Sequence, residues 1–314
     1  MAEKDRKKPL VTVITLCYNH EKFLHDYMEG ILMQRTNFPF RVIITDDKST
    51  DSSASIIKEY ADKYPNIFYP HFFEENQFSK GRSIVKDYCI PELQKFPTKY
   101  IAFCEADDFW IYPDKLQRQV DFLESHPKYS ACYHHYKTID AQGNLLQNQP
   151  IFNLRHSRKL SIYDMLIERQ FQLASTLMRS DIILKDEELF NYLGTSHYSD
   201  FALFLASIHG GKVYCFKEYW NCYRIHSGGI SNKDSEKENA ERHVNVLKRM
   251  SSLYNGKYGR FDKQWLNHIQ MRDALAEATL LRRERRFIAY SIKMINIFFK
   301  DPSEFVKTYY KQWQ

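Results

Sequence analysis

The chain has 314 residues, of which 43% are hydrophobic and 15% aromatic, and it carries a formal net charge of +6. These values exclude an intrinsically disordered or collagen-like protein, and the length suffices for one or two globular domains. The six cysteines form neither a CxxC pair nor a zinc-finger spacing, so we expect reduced thiols in the core.

The charge is distributed unevenly along the chain. Residues 233–314 contain 17 Lys and Arg against 10 Asp and Glu, whereas residues 1–232 have a net charge of −1. We therefore predict a domain over residues 1–232 and a basic helical region over residues 233–314. The apolar stretch behind the charged start ends before Asn19 and is too short for a secretory or membrane segment. This predicts a cytoplasmic protein.

Three apolar runs predict buried strands in the first region. They cover residues 10–16, 41–45 and 100–104, and they are rich in β-branched and aromatic side chains. Such near-continuous apolar runs are typical of strands that are buried on both faces of a parallel sheet.

Helical patterns alternate with these strands. Helices are predicted over residues 21–34, 49–64 and 113–127, and the last of these has apolar residues at i, i+4 and i+7 between two prolines. Further along the chain we predict helices at 162–168 and 201–208, and strands at 212–216 and 221–225. The alternation predicts an α/β fold with a doubly wound, mostly parallel, Rossmann-like sheet.

Polar residues follow each of the first three predicted strands. Tyr18 and Asn19 follow the first, Asp46 and Asp47 end the second, and an acidic segment at residues 105–108 follows the third. Ligands bind at the carboxyl ends of the strands in such sheets. These positions therefore predict a binding site at one edge of the sheet.

The acidic segment holds Glu105, Asp107 and Asp108. Two carboxylates about 4 Å apart repel by roughly 4 kcal/mol at an effective dielectric constant near 20, and a divalent cation removes that repulsion. Mg²⁺ and Mn²⁺ prefer oxygen ligands and often bind phosphate oxygens as well. The segment thus predicts a Mn²⁺ or Mg²⁺ site with a phosphate-bearing substrate. The alternative is an acidic turn that caps a helix.

Four segments occur in a characteristic order: VITLCYN at 13–19, ITDDKSTD at 44–51, CEADDFW at 104–110 and YRIHSGG at 223–229. Together they resemble glycosyltransferase family 2 over roughly residues 9–231. The resemblance implies a GT-A fold, a nucleotide-sugar donor with uridine as the commonest base, a divalent metal and inversion at the anomeric carbon.

The resemblance also implies roles for residues of the nucleotide site. Tyr18 would stack on the nucleobase, and Asp46 and Asp47 would contact the base or the nucleoside unless they cap the following helix. Glu105 and Asp107 stand in the DxD-type motif. Because Glu105 replaces the usual aspartate, it either binds the ribose or reaches the metal through water.

The metal ligands implied by the resemblance are Asp107, Asp108 and His226, although a single histidine at a strand end often has a structural role. Inversion requires a base that faces the acceptor hydroxyl, and the matching position is Asp200. The alternative role for Asp200 is the N-cap of the helix that follows. His197 is a candidate for acceptor binding.

One predicted helix of the tail carries both an apolar stripe and a basic face. The stripe comprises Ile288, Ile292, Ile295 and Phe299, and the basic face comprises Arg282, Arg286, Lys293 and Lys300. Such a helix either rests on the anionic inner face of a membrane as a peripheral contact or packs on the catalytic domain. Nucleic acid is not an expected partner, because no recognition module accompanies the charge.

The predicted function is that of a hexosyl- or N-acetylhexosaminyltransferase. It would transfer a sugar from a UDP-sugar to a hydroxyl of a glycan or lipid-linked acceptor in polysaccharide biosynthesis. A nucleotidyltransferase is one alternative, but it should have a glycine-rich phosphate loop, and residues 16–21 contain no glycine. A catalytically silent scaffold with the same fold is the other alternative.

Overall fold

The computed structural model describes residues 8–146, 157–160, 172–185, 199–229 and 287–303. The chain divides into two compact units, residues 1–229 and 230–314. Three sequence-based predictions lie outside the described residues: His197 as an acceptor contact, the helix at 162–168, and Arg282 and Arg286 in the basic face of the tail helix.

The first unit is an α/β structure built on one sheet. Its strands are β1 (Val11–Cys17), β2 (Phe40–Asp46), β3 (Phe68–Phe72), β4 (Tyr100–Phe103), β5 (Phe109–Trp110), β6 (Tyr129–Ile139), β7 (Arg158–Leu160), β8 (Leu177–Arg179) and β9 (Lys212–Arg224). Its helices are α1 (Leu24–Leu32), α2 (Ser53–Lys63), α3 (Ile90–Lys95), α4 (Lys115–Ser125), α5 (Asp181–Leu184) and α6 (Ser199–Gly210).

The sheet has the strand order β3-β2-β1-β4-β8-β6-β9-β5, and β7 pairs with β9. The pairs among β3, β2, β1 and β4 are all parallel. Beyond β4, β8 is antiparallel to both of its neighbours, and β9 is parallel to β6 but antiparallel to β5 and β7. The α/β fold class is as predicted, and the antiparallel pairs of the second half are a feature that the sequence pattern did not indicate.

The parallel half of the sheet coincides with the predicted apolar runs. Its strands are apolar at nearly every position because both of their faces are covered. Every side chain of β2 and β4 is buried, as are six of the seven in β1. Each fully buried valine or isoleucine contributes about 1.5–3 kcal/mol. The polar side chains in these strands have partners: Thr15 Oγ1 lies 2.5 Å from the Tyr27 hydroxyl, and Arg41 Nε donates to Thr12 Oγ1 at 3.0 Å.

Helix α4 contributes an unexpected charged residue to the interior. The side chain of Lys115 is fully buried, its Nζ lies 4.1 Å from the centroid of the Trp110 ring, and it donates a hydrogen bond to Gln119 Oε1 at 2.8 Å. Burial lowers the pKa of Lys115 to about 7. All six cysteines are also buried, and none of them forms a disulfide.

The strands predicted at 212–216 and 221–225 form one continuous strand, β9. Near its carboxyl end, Asn221 and Cys222 pair with Trp110 and Phe109 of β5. Because β5 follows directly after the acidic segment, this pairing holds that segment next to the end of β9, where His226 lies.

In the second unit the described helix is α7 (Phe287–Lys300), which matches the predicted amphipathic helix. Three side chains of the predicted apolar stripe are described. Ile292, Ile295 and Phe299 are 55%, 54% and 75% exposed, respectively. Among the helices of the described residues, none has the length and apolar character needed to span a bilayer.

Candidate active site

The carboxyl ends of β1, β2 and β4 meet at one edge of the sheet, as predicted. Beyond these strands, the backbone N–H of Asp47 donates to the Cys17 carbonyl at 2.9 Å, and the N–H of Ala106 donates to the Leu16 carbonyl at 3.2 Å. These bonds carry the strand pairing into the loops and fix the loops relative to one another.

A tight turn after β1 positions His20. Asn19 has a left-handed backbone with φ of 57°, a conformation in which asparagine is enriched among non-glycine residues. Its side-chain Oδ1 accepts from the Thr50 N–H at 2.8 Å, and its own N–H donates to Ser49 Oγ at 2.9 Å. The N–H of His20 then donates to Ser53 Oγ at 2.9 Å. The loop before α2 therefore sets the position of His20.

Three side chains converge at this edge: His20, Asp107 and His226, which we call the His-Asp-His cluster. Asp107 Oδ2 lies 3.0 Å from His226 Nε2, within hydrogen-bonding distance, and 3.8 Å from His20 Nε2. One ligand atom from each residue lies within 4.8 Å of the other two, and all three residues are partly buried. Nitrogen and oxygen donors at such separations can bind one metal ion.

The electrostatics of the cluster favour an ionised carboxylate. Burial acts to raise the pKa of Asp107, but the hydrogen bond with His226 and the nearby His20 lower it overall. Burial lowers the pKa of His20, against the opposing effect of Asp107. Neutral imidazole and ionised carboxylate are the protonation states that metal binding requires.

Asp108 has a different environment from its neighbour. Its Oδ1 accepts from the backbone N–H of Arg224 at 2.9 Å, and its Oδ2 accepts from Gln172 Nε2. The side chain is buried, and burial together with the charge of Asp107 raises its pKa well above the usual range. The predicted role of Asp108 as a metal ligand would require these hydrogen bonds to break, and the structure does not bring it into the His-Asp-His cluster.

The Arg224 side chain holds the acidic segment in place. Its Nε donates to the Asp107 carbonyl at 3.0 Å, and its Nη2 donates to Asp26 Oδ2 on α1 at 2.6 Å. The guanidinium lies 4.7 Å from the centroid of the Phe23 ring, and that ring also lies 4.8 Å from the ring of His226. Sequence reasoning did not assign a role to Arg224, although it belongs to the fourth motif.

Asp46 and Asp47 differ in how their oxygens are used. Both carboxylate oxygens of Asp47 accept backbone N–H groups, from Gln77 at 2.6 Å and Phe78 at 3.0 Å. Asp46 Oδ2 accepts from the Ser49 N–H at 3.0 Å, whereas its buried Oδ1 has no hydrogen-bond partner among the described residues. Asp47 therefore holds the loop after β3, and Asp46 retains an acceptor for a ligand.

A pocket opens beside Asp46, and Tyr18 lies at the same edge. The pocket is lined by Asp46, Lys48, Ser49, Ala54, Ser55, Lys58, Phe72 and Phe73. The Tyr18 side chain, directly after β1, is 45% exposed, so its ring face is available to a planar ligand.

A model of the family described as "Glycosyl transferase family 2" matches residues 12–183, more than half of the chain. The chain belongs to glycosyl transferase family 2. The uncharacterized protein Rv1520 of Mycobacterium tuberculosis is 31% identical over 221 residues, and the match covers 70% of this chain. That match spans 60% of the length of the curated relative.

Two solved structures share the fold. TarS 1–349 of S. aureus, in complex with UDP-GlcNAc, has a TM-score of 0.57 at 18% identity and covers 77% of this chain and 66% of that one. The mannosyltransferase PcManGT from Pyrobaculum calidifontis, in complex with GDP-Man and Mn²⁺, has a TM-score of 0.54 at 15% identity and covers 97% and 87%. The family model confirms the predicted family, and the two structures confirm the predicted GT-A-like α/β fold.

The remaining predicted residues of this family 2 protein lie as follows. Asp200 is the second residue of α6, which begins at Ser199. Glu105 lies between the Asp107 loop and β4, and its carbonyl accepts from the Asp108 N–H at 3.1 Å. The roles of Asp200 as base and as helix cap both stay predictions.

The sequence identified Asp107 and His226 but missed His20. A signal was present, because His20 directly follows the Tyr18-Asn19 pair at a strand end. Its proximity to Asp107 depends, however, on the left-handed turn at Asn19 and on contacts with a loop some thirty residues away. Motif spacing alone does not contain that information.

Proposed function

We propose that the protein is an inverting, metal-dependent glycosyltransferase that moves a sugar from a nucleotide-sugar donor to an acceptor hydroxyl. The observation that carries this proposal is the meeting of Asp107 and His226 at the sheet edge that also presents Tyr18 and Asp46. The bound ligands of the two similar structures, UDP-GlcNAc in one and GDP-Man with Mn²⁺ in the other, support a donor of this class.

Asp107 and His226 would hold the metal ion, because a carboxylate oxygen and an imidazole nitrogen 3.0 Å apart suit two adjacent positions on one ion. When bound, a divalent ion neutralises the diphosphate charge that develops as the sugar–phosphate bond breaks. Arg224 holds the Asp107 backbone, and Phe23 packs on the His226 ring, so both donors are positioned before the substrate arrives.

The nucleoside would bind at the sheet edge that carries Tyr18 and Asp46. The exposed ring of Tyr18 supplies a stacking face, and base stacking on an aromatic side chain contributes about 1–3 kcal/mol. The unpartnered Oδ1 of Asp46 supplies a buried acceptor, which suits an N–H of a uracil base. We therefore propose a UDP-sugar as the donor.

Donor binding tests this proposal directly. UDP-sugars with Mn²⁺ should raise the melting temperature of the full-length protein, since a ligand at a hundred times its dissociation constant stabilises the native state by about 2.7 kcal/mol. EDTA should remove the effect, and excess Mn²⁺ should restore it. GDP-sugars serve as the matched comparison for the base. If no nucleotide sugar shifts the melting temperature, the silent-scaffold alternative gains support.

Asp200 is our proposed catalytic base, which takes the proton of the acceptor hydroxyl as the hydroxyl attacks the anomeric carbon. An amide cannot accept that proton, so Asp200→Asn should reduce transfer by about 10²–10⁴-fold while the donor-induced melting shift is retained. Asp181→Asn, which changes the exposed first residue of α5, is the matched control. Transfer within a few-fold of wild type would assign Asp200 to the helix cap instead.

We propose a glycan or lipid-linked acceptor and a peripheral membrane contact through α7. The support for membrane contact is the high exposure of Ile295 and Phe299, on a helix that also carries Lys293 and Lys300. The double substitution Ile295→Asp with Phe299→Asp should abolish flotation of the full-length protein with anionic liposomes. Leu145→Asp, at an equally exposed leucine of the first unit, is the control. Equal flotation of all three proteins would refute the contact.

A further inference from the structure

His20 faces Asp107 without a hydrogen bond to it. The distance from His20 Nε2 to Asp107 Oδ2 is 3.8 Å, beyond hydrogen-bonding range. The other ring nitrogen, Nδ1, is buried and has no hydrogen-bond partner among the described residues. A buried ring nitrogen without a hydrogen-bond partner is costly, and such groups in native proteins call for an explanation.

Hydrogen bonds to the backbone and contacts to the ring fix His20 in this position. The hydrogen bonds at Asn19 and at the His20 N–H hold the backbone, and the His20 ring lies 6.1 Å from the Phe23 ring and 5.7 Å, edge-on, from the His226 ring. Phe23 thus contacts both imidazoles of the His-Asp-His cluster. This arrangement holds two histidines toward a single carboxylate oxygen.

We infer that His20 is a third protein ligand of the metal, so that the site is a two-histidine, one-carboxylate site. The inference rests on the proposed function, which supplies the metal, and adds a ligand to it. At bond lengths of about 2.1 Å, adjacent donors lie about 3.0 Å apart in an octahedron and about 3.4 Å apart in a tetrahedron. The observed 3.0 and 3.8 Å separations are close to these values, and small side-chain shifts would complete the shell.

The ligand set determines which ion the site prefers. Mg²⁺ favours oxygen donors, whereas two imidazoles shift the preference toward transition metals in the order Mn²⁺, then Co²⁺. The full-length wild type should therefore bind Co²⁺ more tightly than Mn²⁺, and Mn²⁺ more tightly than Mg²⁺ by about two orders of magnitude. A site with one histidine would discriminate less between Mn²⁺ and Mg²⁺.

The test is a titration of the metal alone, followed by the EPR signal of free Mn²⁺. His20→Gln should weaken Mn²⁺ binding at least about tenfold and narrow the preference for Mn²⁺ over Mg²⁺ by a similar factor. His25→Gln, at an exposed histidine in the first turn of α1 that contacts the Tyr60 hydroxyl, should leave both quantities unchanged. Unchanged Mn²⁺ affinity in His20→Gln would overturn the inference.

A second measurement needs no substitution. Pulsed EPR of the Mn²⁺-loaded wild type detects couplings to coordinated imidazole nitrogens, and we expect two histidines. One histidine would overturn the inference while leaving the proposed metal site intact. Absence of any Mn²⁺ binding by wild type would instead refute the metal site itself, so the two failures are distinguishable.

Discussion

Substitution of Asp107 by asparagine should abolish both Mn²⁺ binding and sugar transfer. Asp107 is the one carboxylate of the His-Asp-His cluster, and its Oδ2 is the atom nearest to both imidazoles. The amide keeps the shape of the side chain but removes its negative charge. We expect the Mn²⁺ affinity to fall at least 10²-fold. The rate at which nucleotide is released from the donor in the presence of acceptor should fall by at least the same factor, which is equivalent to about 2.7 kcal/mol or more.

The control for this variant is Asp62→Asn, at an exposed carboxylate paired with Lys58 on α2. It removes the same charge from the same unit without touching the cluster. If Asp107→Asn keeps metal binding but loses transfer, other residues bind the metal, and Asp108 is the first of them to test. Retained transfer would refute a metal-dependent mechanism at this site.

The neighbouring aspartates illustrate what sequence can predict about a site. The motif placed Asp107 and Asp108 together at the end of a buried strand, and both are there. The two side chains lie in a turn, in which the Asp108 N–H donates to the Glu105 carbonyl at 3.1 Å, and they have different partners. Asp107 accordingly faces the cluster, whereas Asp108 is buried against the Arg224 backbone and Gln172. The sequence could not assign these directions, because they depend on where β9 and residue 172 pack.

The fold was predictable where burial is uniform. β1, β2 and β4 are recognisable because both faces of each strand are covered, so nearly every position is apolar. β6 was not predicted, because its sequence includes Ser130, His134 and Thr138 in the interior. Those residues are tolerated only through tertiary partners, such as the Ser207 carbonyl that accepts from Ser130 Oγ. Such partners come from distant segments and leave no local pattern.

Lys115 is a further case in which pattern and environment disagree. A lysine at the start of an amphipathic helix is ordinarily exposed, yet this one is fully buried beneath Trp110. Its hydrogen bond to Gln119 and the aromatic face stabilise the ammonium in part. No carboxylate forms a salt bridge with it among the described residues. The pKa of about 7 reflects that unfavourable environment for the charged form.

The stability of the protein should therefore depend on pH through Lys115. In the unfolded chain the lysine has its ordinary pKa of 10.5, and in the folded chain about 7, so between these values the unfolded state binds more protons. The free energy of unfolding consequently rises with pH between 7 and 10.5, and this contribution is lost as the pH falls toward 7. From pH 9.5 down to 7, the contribution of this one group changes by about 3 kcal/mol.

Lys115→Met removes this titration and keeps much of the side-chain volume. The variant leaves Gln119 Oε1 without its donor, a cost of about 1–3 kcal/mol that does not change with pH. On going from pH 9.5 to pH 7, the variant should gain about 3 kcal/mol relative to wild type, as measured by urea denaturation at each pH. Buried thiols and tyrosines titrate in both proteins, so the difference between the two curves isolates the lysine.

The matched control is Lys63→Met, whose ammonium lies 5.4 Å from the Tyr64 ring centroid but on an exposed part of α2. Its stability difference from wild type should stay constant with pH, because this variant leaves the buried Lys115 unchanged. If the plot of stability against pH for Lys115→Met also runs parallel to that of wild type, the Lys115 ammonium is well solvated or paired in the folded protein. In that case burial beneath Trp110 does not lower its pKa.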